Sequence, residues 1–283
     1  MLNRYGLVDP DMTPFMEGEP THQVLKDLPR HQELGDYFST NHGSIRRAGE
    51  DGAKELNQRA EEEGHPLRVG KMLGCGGFGC VHKAHHPDHP NSVVKFEGGH
   101  KEARLAQHVI DNPDRFGDIK SLPQYHSTHK TTLGHGSRPV WAIHRENLED
   151  LPEEHQGHWA SVGHAVSTAY HTARYKRDED MKLAEKHGHT LDPDSVLHSH
   201  MREQISDKLD NLHKRFARTE HEEQFHRVRR DIKKLVGHGV VPCDLNGDNW
   251  GRRKNKETGK HEVVMRDVGC YKIHNPKKRA SNA

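Results

Sequence analysis

The apolar positions change their period along the chain, and those changes divide it. Up to about residue 66 the sequence is polar. Its one regular stretch, SIRRAGEDGAKELNQRAEEE, predicts a helix from Ser44 to Glu63 with a thin apolar stripe, an extension expected to pack loosely or partly fray. From Leu67 short β-branched runs take over. LRVGKML, CVHKA and SVVKF, separated by a glycine-rich turn and by HPDHPN, read as antiparallel hairpins, and QYHSTHKTTL and PVWAIHR around GHGSR predict a second strand pair. After Asn147 the period becomes helical. Trp159, Val162, Val166 and Tyr170 recur at three- and four-residue spacing, and DPDS opens a longer helix carrying Val196, Leu197, Met201, Ile205, Leu209, Leu212 and Phe216. A third helix is expected to start at a capping box of Thr219 and Glu222, to bury Phe225, Val228, Ile232, Leu235 and Val236, and to stop at Gly237 and Gly239. Two valines then predict a short strand, GRRKNKETGKH a polar hairpin tip, and EVVM a returning strand. No internal repeat is visible.

Composition narrows the partners. Apolar residues make up 31% and charged residues 30% of 283, which predicts a modest core under a heavily solvated surface. Basic and acidic side chains, 43 against 42, are interspersed, so neither nucleic acid nor a membrane surface is expected as a partner. The first residues lack a basic start followed by an apolar run, and no window has the length of a spanning helix, which predicts a cytoplasmic protein. Cys75, Cys80, Cys243 and Cys270 have no CxxC spacing and read as reduced, inert thiols; a Cys75–Cys80 disulfide would contradict that reading. The 28 histidines are spread from His22 to His274 without an HExxH pair or a Cys/His block. Groups such as His85, His86 and His89, or His198 and His200, therefore read as permissive surface positions rather than a metal site.

Three segments carry candidate chemistry. In LGCGGFGCVHKA, Gly74, Gly76 and Gly79 form a GxGxxG pattern, in which missing side chains let backbone N–H groups approach phosphate oxygens. The third glycine leads into Cys80, Val81 and His82 rather than a helix, so the context is a hairpin over a nucleotide and not a dinucleotide-binding turn; a plain glycine-rich turn is the competing reading. Lys95 sits on the apolar strand SVVKF and needs a partner if buried, for which Glu102 in the following KEARLA helix is the candidate. In VVPCDLNGDNWG, Asp244 and Asn249 place hard oxygen groups five residues apart, suited to a hydroxyl proton and a magnesium ion, although the same residues make a good Asx turn. EVVMRDVG then brings Asp267 to the end of a strand, where it suits magnesium coordination.

The ordered set of glycine-rich loop, strand lysine, helix glutamate, DLNGDN and DVG resembles the protein-kinase superfamily over about residues 67 to 270. The resemblance implies an α+β, two-lobed protein-kinase-like fold. It would comprise a polar, partly helical extension (1–66), a small antiparallel β N-lobe (67–146) and a mainly helical, reduced C-lobe (147–283). It implies ATP and Mg2+ as cofactors, with Gly74, Gly76, Gly77, Phe78, Gly79 and Val81 covering the nucleotide and Lys95, paired with Glu102, on the α/β-phosphates. The main chain from Arg145 to Asn147 would lie near adenine, Asp244 would be the catalytic base, and Asn249 and Asp267 would be metal ligands. The acceptor would be a hydroxyl on a protein or a small molecule, with protein Ser/Thr marginally preferred. The chain departs from the pattern at Pro242–Cys243, where protein kinases carry His-Arg, at Asn246, where they carry lysine, and after Gly269, where only fourteen residues follow. A nucleotide-binding pseudokinase is therefore the alternative reading.

Overall fold

The computed structural model describes residues 42–76, 79–98, 101–132, 139–242 and 245–268. They form two compact units, one of residues up to Pro113 with Gln124–Asn147, the other of Asp114–Pro123 with the residues from Leu148. Together they make an α+β protein in which a five-stranded antiparallel sheet is accompanied by a mostly helical remainder.

In the first unit, α1 (His42–Glu62) precedes β1 (Arg68–Cys75), β2 (Gly79–His85), β3 (Ser92–Glu97), α2 (Lys101–Asp111), β4 (Tyr125–Thr132) and β5 (Pro139–Glu146), with sheet order β1-β2-β3-β5-β4. The central strand β3 is buried along its whole length, and its alternation assigns its side chains to two layers. Val94 and Phe96 join Val140 and Ala142 of β5 in a core with Ala48, Ala53 and Leu56 of α1. Lys95 has the opposite parity, shared with Trp141 and Ile143 of β5, which pack on Ala103 and Ala106 of α2. The expectation of a loosely packed extension is corrected for α1. A Cβ on Gly49 would lie 2.9 Å from the Cys80 Cβ and one on Gly52 2.9 Å from the Phe96 ring, so these two glycines let the helix dock at short range. Burial of Leu56, Phe96 and Val94 contributes about 1.5–3 kcal/mol each, enough for a thin stripe to hold the helix.

The second unit contains the short α3 (Pro113–Phe116), which begins in the first unit, then β6 (Glu149–Asp150), α4 (Glu153–Lys186), α5 (Pro193–Phe216), α6 (Glu222–Gly237), β7 (Trp250–Lys254) and β8 (His261–Met265). DPDS opens α5 as its chemistry suggests: Asp192 accepts from Ser195 N–H at 3.3 Å, and Pro193 occupies the first turn, where its missing N–H costs nothing. The expected capping box is not formed. Glu222 is already the first helical residue of α6, its carboxylate accepts from Arg218 N–H, and the Thr219 hydroxyl donates back to the Phe216 carbonyl. α6 ends as expected: Gly239 takes φ 83°, and Val240 N–H donates to Leu235 and Gly239 N–H to Val236. The two valines that follow are fully buried, but only Val240 makes a strand-like bridge. Strands β6, β7 and β8 form a small antiparallel sheet. Among the described residues no helix is long and apolar enough to cross a membrane.

Candidate functional site

Lys95 and Glu102 meet. The β3 parity that puts Lys95 toward α2 and the position of Glu102 in the first turn of α2 bring Nζ to 2.5 Å from Oε2, with Lys95 8% and Glu102 1% exposed. Arg145 of β5 lies on the same face, its Nε 3.5 Å from the other Glu102 oxygen. One buried carboxylate thus serves two cations. Glu97, two residues from Lys95 on the strand, acts elsewhere, since its Oε1 accepts from Ala103 N–H at 3.0 Å and caps the start of α2. Val81 stands opposite Lys95 in the β2–β3 register, so its side chain shares that face. Arg145 lies in register with Val93 on one side and Tyr125 on the other. The Asn147 N–H donates to the Asn91 carbonyl.

The glycine hairpin is part of the sheet. Gly79 must be glycine, because a Cβ there would come within 2.2 Å of the Phe96 carbonyl oxygen. At Gly74 and Gly76 a Cβ would meet nothing within 4 Å, so packing does not account for glycine there. Gly76 N–H donates to the Gly79 carbonyl and closes the turn; Gly77 and Phe78 lie outside the described residues. The expectation of reduced cysteines is overturned, because Cys75 and Cys80 form a disulfide with Cα atoms 4.1 Å apart. Two irregularities in β1, between Val69 and Met72 and between Met72 and Gly74, shift the register so that these residues face each other. With that bond formed, cysteine usage no longer points to a reducing compartment.

In the second unit the β7–β8 hairpin brings two of the candidate ligands side by side. The Asn249 carbonyl accepts from Arg266 N–H at 2.7 Å and from Asp267 N–H at 3.3 Å, at the open end of the paired strands. Asn246 makes the Asx turn that the sequence also allowed: its side-chain oxygen accepts from Asp248 N–H at 3.1 Å and Asn249 N–H at 3.2 Å, so it fixes the loop. Leu245 is clamped. Its carbonyl accepts from Trp250 Nε1 at 3.3 Å, and a Cβ on Gly163 of α4 would fall 1.6 Å from that same oxygen, so only glycine lets the helix lie there. Asp244 lies outside the described residues.

The histidines are not only surface groups. His86 and His89 from the β2–β3 turn gather with His126 of β4 and His144 of β5. Ring centroids are 3.7 Å apart for His89 and His126, 4.8 Å for His126 and His144, and 4.9 Å for His86 and His89. Ser92 donates its single hydroxyl proton to the His89 carbonyl, so His144 Nε2 is the donor in its 2.9 Å bond to Ser92 Oγ. Burial first, and then the neighbouring imidazoles, lower the His144 pKa to about 3 and the His126 pKa to about 4. Sequence spacing held no sign of this group beyond the HHPDH turn, because its other members arrive on separate strands. Arg145 was likewise missed as a side-chain partner of Glu102; strand parity with Lys95 is the signal that would have found it.

No family model matches the chain, and no curated protein does. Among solved structures it is similar to the crystal structure of a kinase domain, at 15% identity and a TM-score of 0.30, over 74% of this chain. This chain spans about half of that one, 52%.

Proposed function

We propose that this chain is a kinase-like phosphotransferase that uses ATP and Mg2+ to phosphorylate a hydroxyl group, with protein Ser/Thr as the first acceptor to test. The observation that carries the reading is the buried Lys95–Glu102 pair at 2.5 Å. A lysine held on a sheet face by a helix carboxylate is the device that presents an ammonium to nucleotide phosphates. Arg145 beside it adds cationic character, and the space above Gly74 and Gly76 is what a closely approaching phosphate would require. The donor set fits magnesium: Asn249 and Asp267 offer hard oxygens and are joined through the main chain. In this reading Lys95 binds the α/β-phosphates, Glu102 orients Lys95, and the hairpin with Val81 covers the nucleotide. Asn249 and Asp267 hold the metal, and Asp244 accepts or orients the acceptor proton. The nucleotide–metal complex supplies the phosphoryl group. A two-lobed kinase architecture with a reduced C-lobe belongs to the same proposal.

A pseudokinase reading is favoured by one feature, the Asn246 side chain, which caps its own turn where an active kinase presents a lysine. The experiment is incubation of wild type, Lys95→Met and Asp267→Ala with γ-labelled ATP and magnesium, following label into the protein itself, a generic protein substrate and water. Transfer by wild type and its loss in both variants supports the kinase. Bound nucleotide without transfer supports the pseudokinase, and absence of both overturns the proposal.

A further inference from the structure

His155, in the first turn of α4, converges with the adjacent Glu220 and His221 in the turn before α6. His155 Nε2 lies 3.2 Å from Glu220 Oε1, and His221 Nε2 lies 3.8 Å from the same oxygen. One donor atom from each of the three residues falls within 4.8 Å of the others. The His155 and His221 rings are 4.4 Å apart, and His158, three residues along α4, brings another ring to 5.2 Å from His221.

We propose that His155, Glu220 and His221 form a binding site for a divalent transition-metal ion of the zinc class, with His158 as the reachable fourth ligand. A tetrahedral ion with bonds near 2.0–2.2 Å separates its ligand atoms by roughly 3.3–3.6 Å, close to the 3.2 and 3.8 Å found here, and the remaining pair lies within 4.8 Å, so side-chain rotation brings the three donors to match. A simple ion pair does not explain the group, since Glu220 Oε1 lies within 3.8 Å of two imidazole nitrogens and the His158 ring packs beside His221. His221 is anchored as the residue preceding α6: its N–H donates to Thr219 Oγ1 and its carbonyl accepts from Phe225 N–H. Trp159, fully buried, forms one wall at 6.2 Å from the His221 ring. Nitrogen donors select a softer ion than magnesium, so this site is independent of the phosphotransfer reading.

The test is equilibrium dialysis of the untagged full chain against zinc, with cobalt(II) absorption as a second readout of tetrahedral nitrogen–oxygen coordination. Wild type, His155→Gln, Glu220→Gln and His226→Gln are compared. Glu220 is mostly exposed, so Glu220→Gln keeps the fold intact even if a histidine change does not. His226 belongs to a more open group with His213 and Glu222, where ligand distances are 3.8 and 3.9 Å, and serves as the control. The expected result is one strong zinc per chain, weakened about tenfold or more by His155→Gln and by Glu220→Gln and unchanged by His226→Gln. Equal binding by wild type and Glu220→Gln, or loss only in His226→Gln, overturns the assignment.

Discussion

Acidification should loosen the first unit at its imidazole cluster well before carboxylates titrate. Both His126 and His144 are held neutral in the folded state, with pKa values near 4 and 3, whereas the unfolded chain takes up protons at the ordinary 6.5. The stabilisation is therefore complete above about pH 7 and is lost as pH falls through 6.5 toward 4. Between about pH 7.5 and 5 each ring would contribute about 2 kcal/mol of lost stability, since a full pH unit of differential protonation is worth about 1.4 kcal/mol. Two rings give about 4 kcal/mol, and because solvent reaches part of the cluster about half of that is expected. His82 and His129, also lowered chiefly by burial, act in the same direction. The assay is urea-dependent hydrogen exchange of β3 and β5 peptides at both pH values, corrected for intrinsic rates. His144→Gln, which cannot titrate but can still donate to Ser92, should remove about half of the pH effect. An identical pH dependence in wild type and His144→Gln would rule out His144 as a source of the acid sensitivity.

Three other outcomes are expected. Glu102→Gln should destabilise the first unit by about 3–5 kcal/mol and more than Lys95→Met does, because it strands two buried cations rather than leaving the carboxylate with Arg145; thermal melts giving the reverse order would contradict the shared-carboxylate geometry. Gly163→Ala should cost more than about 2 kcal/mol through its collision with the Leu245 carbonyl, whereas Gly157→Ala, on the same helix with no neighbour within 4 Å, should stabilise by about 0.5–1 kcal/mol; equal effects in urea titrations would count against that close approach. Alkylation mapped by mass spectrometry should label Cys75 and Cys80 only after reduction, and closure of so short a loop is worth about 2 kcal/mol; labelling before reduction would exclude the disulfide.

The strands and helices were largely legible because their apolar periods differ and the punctuation is local. SVVKF, the DPDS helix start and the Gly237–Gly239 stop all form where residue chemistry places them. Lys95 and Glu102 were legible as a pair because a strand lysine among valines must find an anion, and the next helix offers one while Glu97, on the same strand, caps that helix instead. What stayed hidden depends on contacts distant in sequence. The thin apolar stripe of Ser44–Glu63 read as a loosely packed helix, although Gly49 and Gly52, three residues apart, make a flat face for docking. The disulfide depends on irregularities in β1 that no residue type announces. The His155 and Glu220–His221 grouping needs the α4 start and the turn before α6 to meet. The Thr219 box failed because two hydrogen-bonding alternatives compete over a few residues, and the backbone took the tighter turn.

Cys75 to Cys80, with the bond between their sulfurs, make a closed covalent ring at the tip of a hairpin. A protease that cuts one peptide bond inside this ring opens it without dividing the chain, since the two new ends remain tethered. The fragments would separate on a gel only after reduction. On the function proposed above, such a cut would fall within the segment that covers the nucleotide. Nicking could thus silence the hairpin while leaving the molecule's mass, apart from one added water, unchanged.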